Sequence, residues 1–253
     1  MKKYVLASFL CLFIVIVNAQ EYKIAKSSGK LVMNLSSVQI EGYNGNEIVF
    51  SSTKDLAEGD ERAKGLRPIN GSGFIDNTGL GINVTDKNGT IEVNQVSQKS
   101  ITLKILVPKG FSISYSFNNV MNAGKASFKN LESEIEISVQ HNKIELEKIT
   151  GPLTVKSIYG EVNVIFGETI KGPISIASIY GHVDVALPVT TKANLKLNTN
   201  YGEILADPDF KIDIEKTGEL VSYSNNVKGK LNGGGTDISL ISNYGKVYLR
   251  KTK

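Results

Sequence analysis

Apolar and polar residues alternate along most of the chain after residue 20, in short runs separated by glycine, proline and asparagine. Leu153 and Val155 alternate with polar residues, and so do Val162, Val164 and Phe166. A period of two residues is typical of a β-strand with one buried face. The same pattern predicts N-terminal strands at Leu31–Leu35, Val38–Ile40, Ile48–Phe50, Ile82–Val84, Thr90–Val93 and Ile101–Ile105, with a hairpin or corner turn at Asp86–Gly89.

A short motif containing Tyr-Gly recurs at a nearly constant interval in the C-terminal half. Its copies are centred on Tyr159, Tyr180, Tyr201 and Tyr244. Consecutive tyrosines are 21, 21 and 43 residues apart, and Tyr223 lies near the middle of the last gap, with Ser224 in place of glycine. A second motif, Gly-Pro followed by alternating apolar residues, also recurs after 21 residues, at Gly151 and Gly172. A fixed period in this range is typical of a solenoid.

The repeats predict coils of two strands that stack on one another, with equivalent apolar residues in columns spaced about 4.8 Å apart. The predicted columns are Leu153, Ile174 and Leu195, and Val162, Val183 and Ile204. The motif's glycine is predicted to form a corner with positive φ, because Asn142 replaces it in a degraded copy at Gln140–Ile144. The predicted fold is all-β: a single-stranded parallel β-helix, or β-solenoid, with coils of about 21 residues.

Residues 1–19 are predicted to be a cleavable secretory signal peptide. Lys2 and Lys3 precede an apolar run from Val5 to Val17, and Ala19 is suitable at the position before the cleavage site. This run of 13 residues is shorter than the roughly 20 that a membrane-spanning helix needs. Residues 20–253 are therefore predicted to be one exported β-solenoid domain without a membrane span, in the periplasm or at the cell surface, with less regular coils at its N-terminal end.

The balance of charge does not favour a nucleic-acid partner. Removing Lys2 and Lys3 from the 29 basic residues leaves 27 against 25 acidic ones, and only Arg62, Arg67 and Arg250 are arginines. Nucleic-acid binding usually needs a concentrated basic face. The lone cysteine, Cys11, falls in the predicted signal peptide, so the processed chain has no thiol chemistry. No cofactor is predicted.

The sequence contains few residues whose type and spacing are typical of a catalytic or metal-binding site. His182 takes the outward position after a corner glycine, and His141 takes the tyrosine position of the degraded repeat, in a different coil. No metal site is predicted from them. Asp207 and Asp209, with Asp213 following, could bind Ca²⁺ or act as acid and base, but an acidic turn is the favoured interpretation. No nucleophile elbow or phosphate-binding loop is present, and Gly233–Gly235 is predicted to be a corner or cap.

The tyrosines Tyr159, Tyr180, Tyr201 and Tyr244 are the candidate interaction site, because the repeat should align them along one edge. Two interpretations are open. In the first, they form a stacked ladder that stiffens the edge, each aromatic pair contributing roughly 0.5–1.5 kcal/mol. In the second, they form a platform for a glycan or an envelope protein. The oligomeric state does not follow from the sequence.

Several stretches together resemble a known bacterial family. They are Ile40–Ile48, Val107–Gly110, the Tyr-Gly repeats, and Leu231–Gly235 leading into Tyr244–Leu249. The chain resembles the β-strand-repeat family of unknown function whose members are labelled "putative adhesin", common in Bacteroidota, over roughly residues 29–250. The resemblance implies a single-stranded β-helix and an envelope location. It brings no catalytic or ligand-binding residues with it.

The leading hypothesis is a non-catalytic, exported envelope protein with an adhesin-like or scaffolding surface. One alternative is a glycan-binding or glycan-cleaving β-helix that uses Asp207 and Asp209. Another is an accessory factor in envelope-stress signalling.

Overall fold

A computed structural model describes residues 21–52, 61–98, 102–215 and 225–252. These residues fold into β-strands joined by turns and loops, which confirms the predicted all-β class. Within the described ranges, the 3-10 turn Glu61–Ala63 is the one helical element, and no helix is long and apolar enough to cross a membrane. The predicted signal peptide and Tyr223 lie outside the described residues.

The described residues contain 21 strands, numbered here in chain order. They are β1 (Glu21–Ile24), β2 (Ser28–Asn34), β3 (Val38–Tyr43), β4 (Ile48–Ser52), β5 (Ile82–Lys87), β6 (Thr90–Gln95), β7 (Leu103–Pro108), β8 (Gly110–Phe117), β9 (Lys125–Lys129), β10 (Ile135–Val139), β11 (Lys143–Ile149), β12 (Leu153–Ser157), β13 (Val162–Phe166), β14 (Ile174–Ser178), β15 (Val183–Leu187), β16 (Ala193–Thr199), β17 (Ile204–Ala206), β18 (Ile212–Ile214), β19 (Asn226–Leu231), β20 (Thr236–Ser242) and β21 (Val247–Lys251). The strands predicted in the N-terminal half correspond to β2–β7.

The strands form two sheets with the core between them. In the described residues, sheet A has ten strands in the order β1-β4-β7-β3-β9-β11-β13-β15-β21-β17, and sheet B has eleven in the order β18-β19-β16-β20-β14-β12-β10-β8-β2-β6-β5. In the body of the molecule, a sheet B strand and the following sheet A strand make one coil, and neighbouring coils pair in parallel. Both ends differ from the predicted parallel helix, because antiparallel strands close them: β1, β4 and β5 at one end, β18 and β19 at the other.

In the strands of the parallel coils, such as β12 and β13, every second side chain points into the core, as the alternation predicts. In β12 and β13, Leu153, Val155, Val162, Val164 and Phe166 are all buried. Because parallel pairing keeps equivalent residues side by side, the buried side chains form columns that run from coil to coil. Burial of these columns against each other is the main source of stability, at roughly 1.5–3 kcal/mol for each large apolar side chain.

The order of coils in space differs from their order along the chain. The C-terminal coil, β20–β21, lies between β14–β15 and β16–β17. Ile238 therefore pairs with both Ile174 and Leu195, and Val247 pairs with both Val183 and Ile204. The predicted direct stacking of Leu195 on Ile174 and of Ile204 on Val183 is wrong. At the other end, β2–β3 is inserted in the same way between β6–β7 and β8–β9.

The coils also vary in length. Paired residues of β12 and β14, such as Leu153 and Ile174, are 21 residues apart, but Ile135 of β10 pairs with Leu153 at a separation of 18. The pairing between neighbouring coils stays in register, because the loops at the corners differ in length and accommodate the extra residues. A uniform period of 21 residues thus describes one step of the solenoid and not the whole of it.

Neighbouring coils come very close at the Tyr-Gly corners, and this is why glycine is needed there. A Cβ atom on Gly160 would lie 1.9 Å from the carbonyl oxygen of Asn142, and one on Gly181 would lie 2.2 Å from that of Gly160. Gly202 and Gly245 are crowded in the same way. None of these residues has a positive φ. The predicted left-handed corner is therefore wrong, and close backbone approach is the physical reason for the glycine.

A buried hydroxyl bonds the backbone at each of these corners. At three of them it reaches the next coil, whereas Ser157 Oγ donates to the carbonyl of Gly160 in its own corner (2.9 Å). Ser178 Oγ accepts a hydrogen bond from the Gly181 N–H (3.0 Å) and donates one to the Gly160 carbonyl of the adjacent coil (3.2 Å). Thr199 bonds the Gly202 N–H and the Gly245 carbonyl in the same manner. The equivalent residues are Ser157, Ser178, Thr199 and Ser242. With the hydroxyl held inside, the tyrosine next to the glycine is turned outward.

Asn142 replaces the corner glycine where the neighbouring coil leaves room for a side chain. It is fully buried, and its Nδ2 donates to the carbonyl of Ser36 (2.7 Å) and to Tyr115 Oη (3.2 Å). The Tyr115 hydroxyl in turn donates to the carbonyl of Leu35 (2.7 Å). Burial raises the pKa of Tyr115 well above its usual value. Asn142 thereby connects its own corner to the inserted coil β2–β3.

Candidate functional site

Stacked aromatic rings run along the corner edge of the solenoid. Within the described residues the order is His141, Tyr159, Tyr180, Tyr244 and Tyr201, and this set is called the aromatic column below. Neighbouring ring centroids are 4.6, 4.9, 4.9 and 4.8 Å apart, and their planes deviate by 6–12°. The spacing is that of the strands, so the strands hold the rings in register over about 19 Å.

The four tyrosines singled out from the sequence are thus brought together, but in an unexpected order. Tyr244 lies between Tyr180 and Tyr201, because its coil is the inserted one. His141 extends the column by packing on Tyr159, as its place in the degraded repeat predicts. Tyr223, which the sequence places between Tyr201 and Tyr244, lies outside the described residues.

The faces of the inner rings are used by the stacking itself. Tyr159, Tyr180 and Tyr244 are 50–52% exposed, whereas Tyr201, which has one ring neighbour, is 73% exposed. A sugar that stacks on an aromatic ring needs a free face, and within the column such a face is present only at the ends. Along most of its length, the column offers ring edges and hydroxyl groups at a regular interval of nearly 5 Å. This geometry suits a partner with a matching repeat better than a stacked sugar.

A row of charged or polar residues runs beside the aromatic column on the sheet A side. In spatial order it contains Lys143, Glu161, His182, Lys246 and Glu203, and it is called the charged column below. Lys143 Nζ is 3.4 Å from Glu161, and Lys246 Nζ is 2.6 Å from Glu203. The hydrogen bond between Lys246 and Glu203 raises the pKa of the lysine and lowers the pKa of the glutamate. These pairs are exposed, so each contributes little to stability.

Each ring nitrogen of His182 lies close to a polar side chain. Its Nε2 is 3.1 Å from Asn163 Oδ1, and its Nδ1 is 3.6 Å from Glu161. Its ring also meets Tyr248 edge-on, with centroids 5.9 Å apart. In the part of the chain that the structure describes, no three His, Cys, Asp or Glu side chains are grouped to hold a metal ion.

A comparison with protein-family models matches residues 120–250, which is more than half of the chain, to one family, Toastrack DUF4097. The chain belongs to the Toastrack DUF4097 family. This agrees with the resemblance to adhesin-labelled β-repeat proteins noted from the sequence. The matched range contains the whole aromatic column and the whole charged column.

Two solved structures are similar to this Toastrack protein over nearly its whole length. A "putative cell adhesion protein" from Clostridium sporogenes is 16% identical, with a TM-score of 0.46, covering 92% of this chain and 100% of its own. A "putative adhesin" from Bacteroides fragilis is 11% identical, with a TM-score of 0.35, covering 93% of this chain and 98% of its own. The comparison with curated proteins finds no match.

The first two carboxylates of the acidic turn after β17 of the Toastrack domain each make a local contact. Asp207 Oδ1 accepts the backbone N–H of Asp209 at 3.0 Å, which closes the turn. The Asp209 carboxylate forms an ion pair with Lys251, and this contact raises the pKa of the lysine. Both side chains thus have structural partners, as expected for an ordinary turn.

A cleft of about 680 Å³ on the outer face of sheet B was not anticipated from the sequence. Lys196 and Lys228 lie directly opposite each other on β16 and β19, and Lys230 is two residues further along β19. None of the three forms an ion pair with another described residue. Glu215 and Asp237 also line the cleft and offset part of its positive charge. Its signal in the sequence is the single lysine of β16 and the two alternating lysines of β19. This signal becomes meaningful only once β19 is known to pair antiparallel with β16.

Proposed function

We propose that this Toastrack protein is a non-catalytic, exported protein of the cell envelope that presents a rigid surface for adhesion or scaffolding. The N-terminal signal-like segment supports export, and the parallel coils give the molecule a stiff frame. The observation that carries the proposal is the aromatic column, whose inner tyrosines keep half of their surface exposed after stacking. Exposed tyrosine edges are typical of protein contact surfaces, where tyrosine is enriched.

In this proposal the tyrosines both stiffen the edge and make the contact. The stacking holds each side chain in one orientation, so little rotamer entropy is lost when a partner binds. The flanking charged column gives the surface polarity and a defined direction along the solenoid. A partner protein is favoured over a stacked sugar, because the inner ring faces are already covered.

The test combines location with binding. Protease treatment of intact cells should degrade the protein if it is exposed at the surface and spare it if it is periplasmic. Adhesion or aggregation of these cells is then compared between wild type, Tyr201→Ala at the exposed end of the column, and Ile165→Ala. Ile165 is a matched control, since it is 48% exposed on sheet A, away from the column.

We expect Tyr201→Ala to reduce adhesion strongly while losing only the roughly 0.5–1.5 kcal/mol of its one stacking contact with Tyr244, and Ile165→Ala to leave adhesion unchanged. Equal adhesion by both variants would contradict a contact through the aromatic column. Loss of stability without loss of adhesion in Tyr180→Ala would show that the column is structural alone.

The lysine cleft supports a second candidate, binding of an acidic polysaccharide. Like charges directly opposite each other on two strands are unfavourable, and an anionic ligand between Lys196 and Lys228 would relieve this repulsion. The Lys196→Gln/Lys228→Gln variant should then lose retention on a heparin-type column at low salt, whereas Lys156→Gln, on the same sheet, should keep it. Equal retention would remove this candidate.

A further inference from the structure

We propose that the aromatic column is a homophilic interface, at which two copies of this chain dock edge to edge and antiparallel. The two copies are related by a two-fold axis that is perpendicular to the solenoid and passes at the level of Tyr180 and His182. This inference rests on the proposed function, and it names the partner of the same surface.

The first argument is the repeat distance. The exposed ring edges recur every 4.8–4.9 Å in the inner part of the column. A partner that contacts several of them at once must have features at the same interval, which is the strand spacing of a β-sheet. A second copy has this interval by construction. Under the two-fold, Tyr180 faces its own copy, Tyr159 faces Tyr244, and His141 faces Tyr201.

The second argument is the order of signs in the charged column. From one end to the other it reads Lys143, Glu161, His182, Lys246, Glu203. The two-fold reverses this order, so Lys143 faces Glu203 of the second copy and Glu161 faces Lys246. Both pairs have opposite charges, and His182 faces itself. The surface is therefore complementary to itself, which a two-fold symmetric interface requires.

This complementarity depends on the inserted C-terminal coil. If the coils followed the order of the chain, Glu203 would precede Lys246 in the column. Reversal would then place Lys143 against Lys246 and Glu161 against Glu203, which are repulsive pairs. The insertion of β20–β21 between β14–β15 and β16–β17 exchanges these two positions and makes the column self-complementary.

The other flank of the aromatic column selects the antiparallel arrangement. On the sheet B side, the residues next to the rings are uncharged: Gln140, Ile158, Ile179, Asn243 and Asn200. A two-fold parallel to the solenoid would press the charged column against this neutral flank and remove charges from water without partners, which is unfavourable. The perpendicular two-fold matches charged flank with charged flank and neutral flank with neutral flank.

The area of the column sets the expected strength. A tyrosine buries 150–250 Å² when fully enclosed, so half-exposed rings offer on the order of 100 Å² each. The column alone then contributes roughly 300–500 Å² per copy, below the ~800 Å² of a standard interface. The flanks must supply the rest, and the contact belongs to the transient class. Many copies on apposed surfaces would strengthen it through avidity.

The experiment is charge exchange in the purified full chain, followed by sedimentation equilibrium up to about millimolar protein. Glu161→Lys places two lysines opposite each other, and Lys246→Glu places two glutamates opposite each other. We expect each variant to weaken dimerisation at least tenfold. An equimolar mixture of the two should form a heterodimer as well as wild type dimerises, because lysine then faces glutamate in both pairs.

The design separates intermolecular from internal effects. Glu161 pairs internally with Lys143 and His182, and Lys246 with Glu203, so the two residues have no direct contact within one chain. Internal disruption cannot be repaired by mixing, whereas an intermolecular pair can. Thr154→Lys, on the outer face of sheet B away from the column, controls for the added charge.

A wild-type protein that stays monomeric would overturn the inference, and so would single variants that dimerise normally or a mixture that does not associate. A surface-exposed, adhesive but monomeric protein would leave the proposed function in place while removing its homophilic partner. A dimer with the predicted exchange pattern, formed by a protein that cell fractionation finds only in the cytoplasm, would keep the homophilic interface and remove the proposed envelope function.

Discussion

Gly181→Ala tests the close approach of neighbouring coils at the Tyr-Gly corner. The added Cβ would lie 2.2 Å from the Gly160 carbonyl oxygen, where real contacts are essentially never under 3.0 Å. The obstacle is backbone, so it cannot rotate away. The two coils must therefore separate by about 0.8 Å at this corner.

This separation stretches the hydrogen bonds that join the coils at the same corner. The bond from Tyr180 N–H to the Ile158 carbonyl is 2.8 Å long, and that from Ile179 N–H to the Ser157 carbonyl is 3.1 Å. Both would exceed normal length. At roughly 1 kcal/mol net for each bond, plus the strain of overpacking, we expect a loss of about 2–4 kcal/mol. For a chain of this size that lowers the melting temperature by about 5–15 °C.

The assay is urea and thermal unfolding followed by far-UV circular dichroism. Gly167→Ala is the matched control, because its Cβ would meet no atom closer than 3.7 Å and its φ is not positive. We expect the control to stay within about 0.5 kcal/mol of wild type. If Gly181→Ala were as stable as Gly167→Ala, the close packing of the corners would be refuted.

Three further predictions follow from buried polar groups and from the end of the solenoid. Ser178→Ala should cost about 1–3 kcal/mol in urea unfolding, because the Gly181 N–H loses its buried acceptor; Ser175→Ala, on the exposed face of the same strand, should not. Stability should fall as the pH rises above about 10, since the unfolded chain ionises Tyr115 there while burial raises the pKa of this phenol in the fold. In Tyr115→Phe the alkaline slope should be smaller, although the variant is less stable at neutral pH. Deletion of residues 234–253 should abolish soluble folding, because Ile174 and Val183 lose their paired neighbours.

Local features were predictable where a few neighbouring residues determine them. The turn at Asp86–Gly89 was expected from its composition, and Asn88 and Gly89 adopt the positive φ values that such a hairpin requires. The strands followed from alternation, and the Gly233–Gly235 corner lies between β19 and β20, with positive φ at Gly233 and Gly234.

The order of the coils was not predictable, because it depends on long-range pairing among nearly equivalent strands. The coils containing Tyr180, Tyr201 and Tyr244 have the same corner and the same buried positions, so each could stack on either of the others. The period of 21 residues suggested that Tyr201 follows Tyr180, and the gap before Tyr244 suggested an intervening coil. The structure instead places Tyr244 between them, and this also decides the pattern of charges beside the rings.

The role of the corner glycine does not follow from the sequence for a similar reason. A sequence shows which residue occupies a corner, but not how close the next coil comes. In the sequence, Asn142 in place of glycine indicates a left-handed backbone, whereas in the fold its side chain is buried and bonds to Ser36 and Tyr115. The lysine cleft is not evident from the sequence, because Lys196 and Lys228 become neighbours only through an antiparallel pairing.

Disulfide trapping along the aromatic column is the most direct measurement of this coil order. Paired cysteines in place of Tyr180 and Tyr244, in a Cys11→Ser background, would stand one strand spacing apart, within the 4.4–6.8 Å between Cα atoms that a disulfide tolerates. Cysteines in place of Tyr180 and Tyr201 would stand two spacings apart, beyond that reach. We predict that the first pair closes on mild oxidation and the second does not; closure of the Tyr180–Tyr201 pair alone would contradict the inserted coil and the self-complementary surface that depends on it.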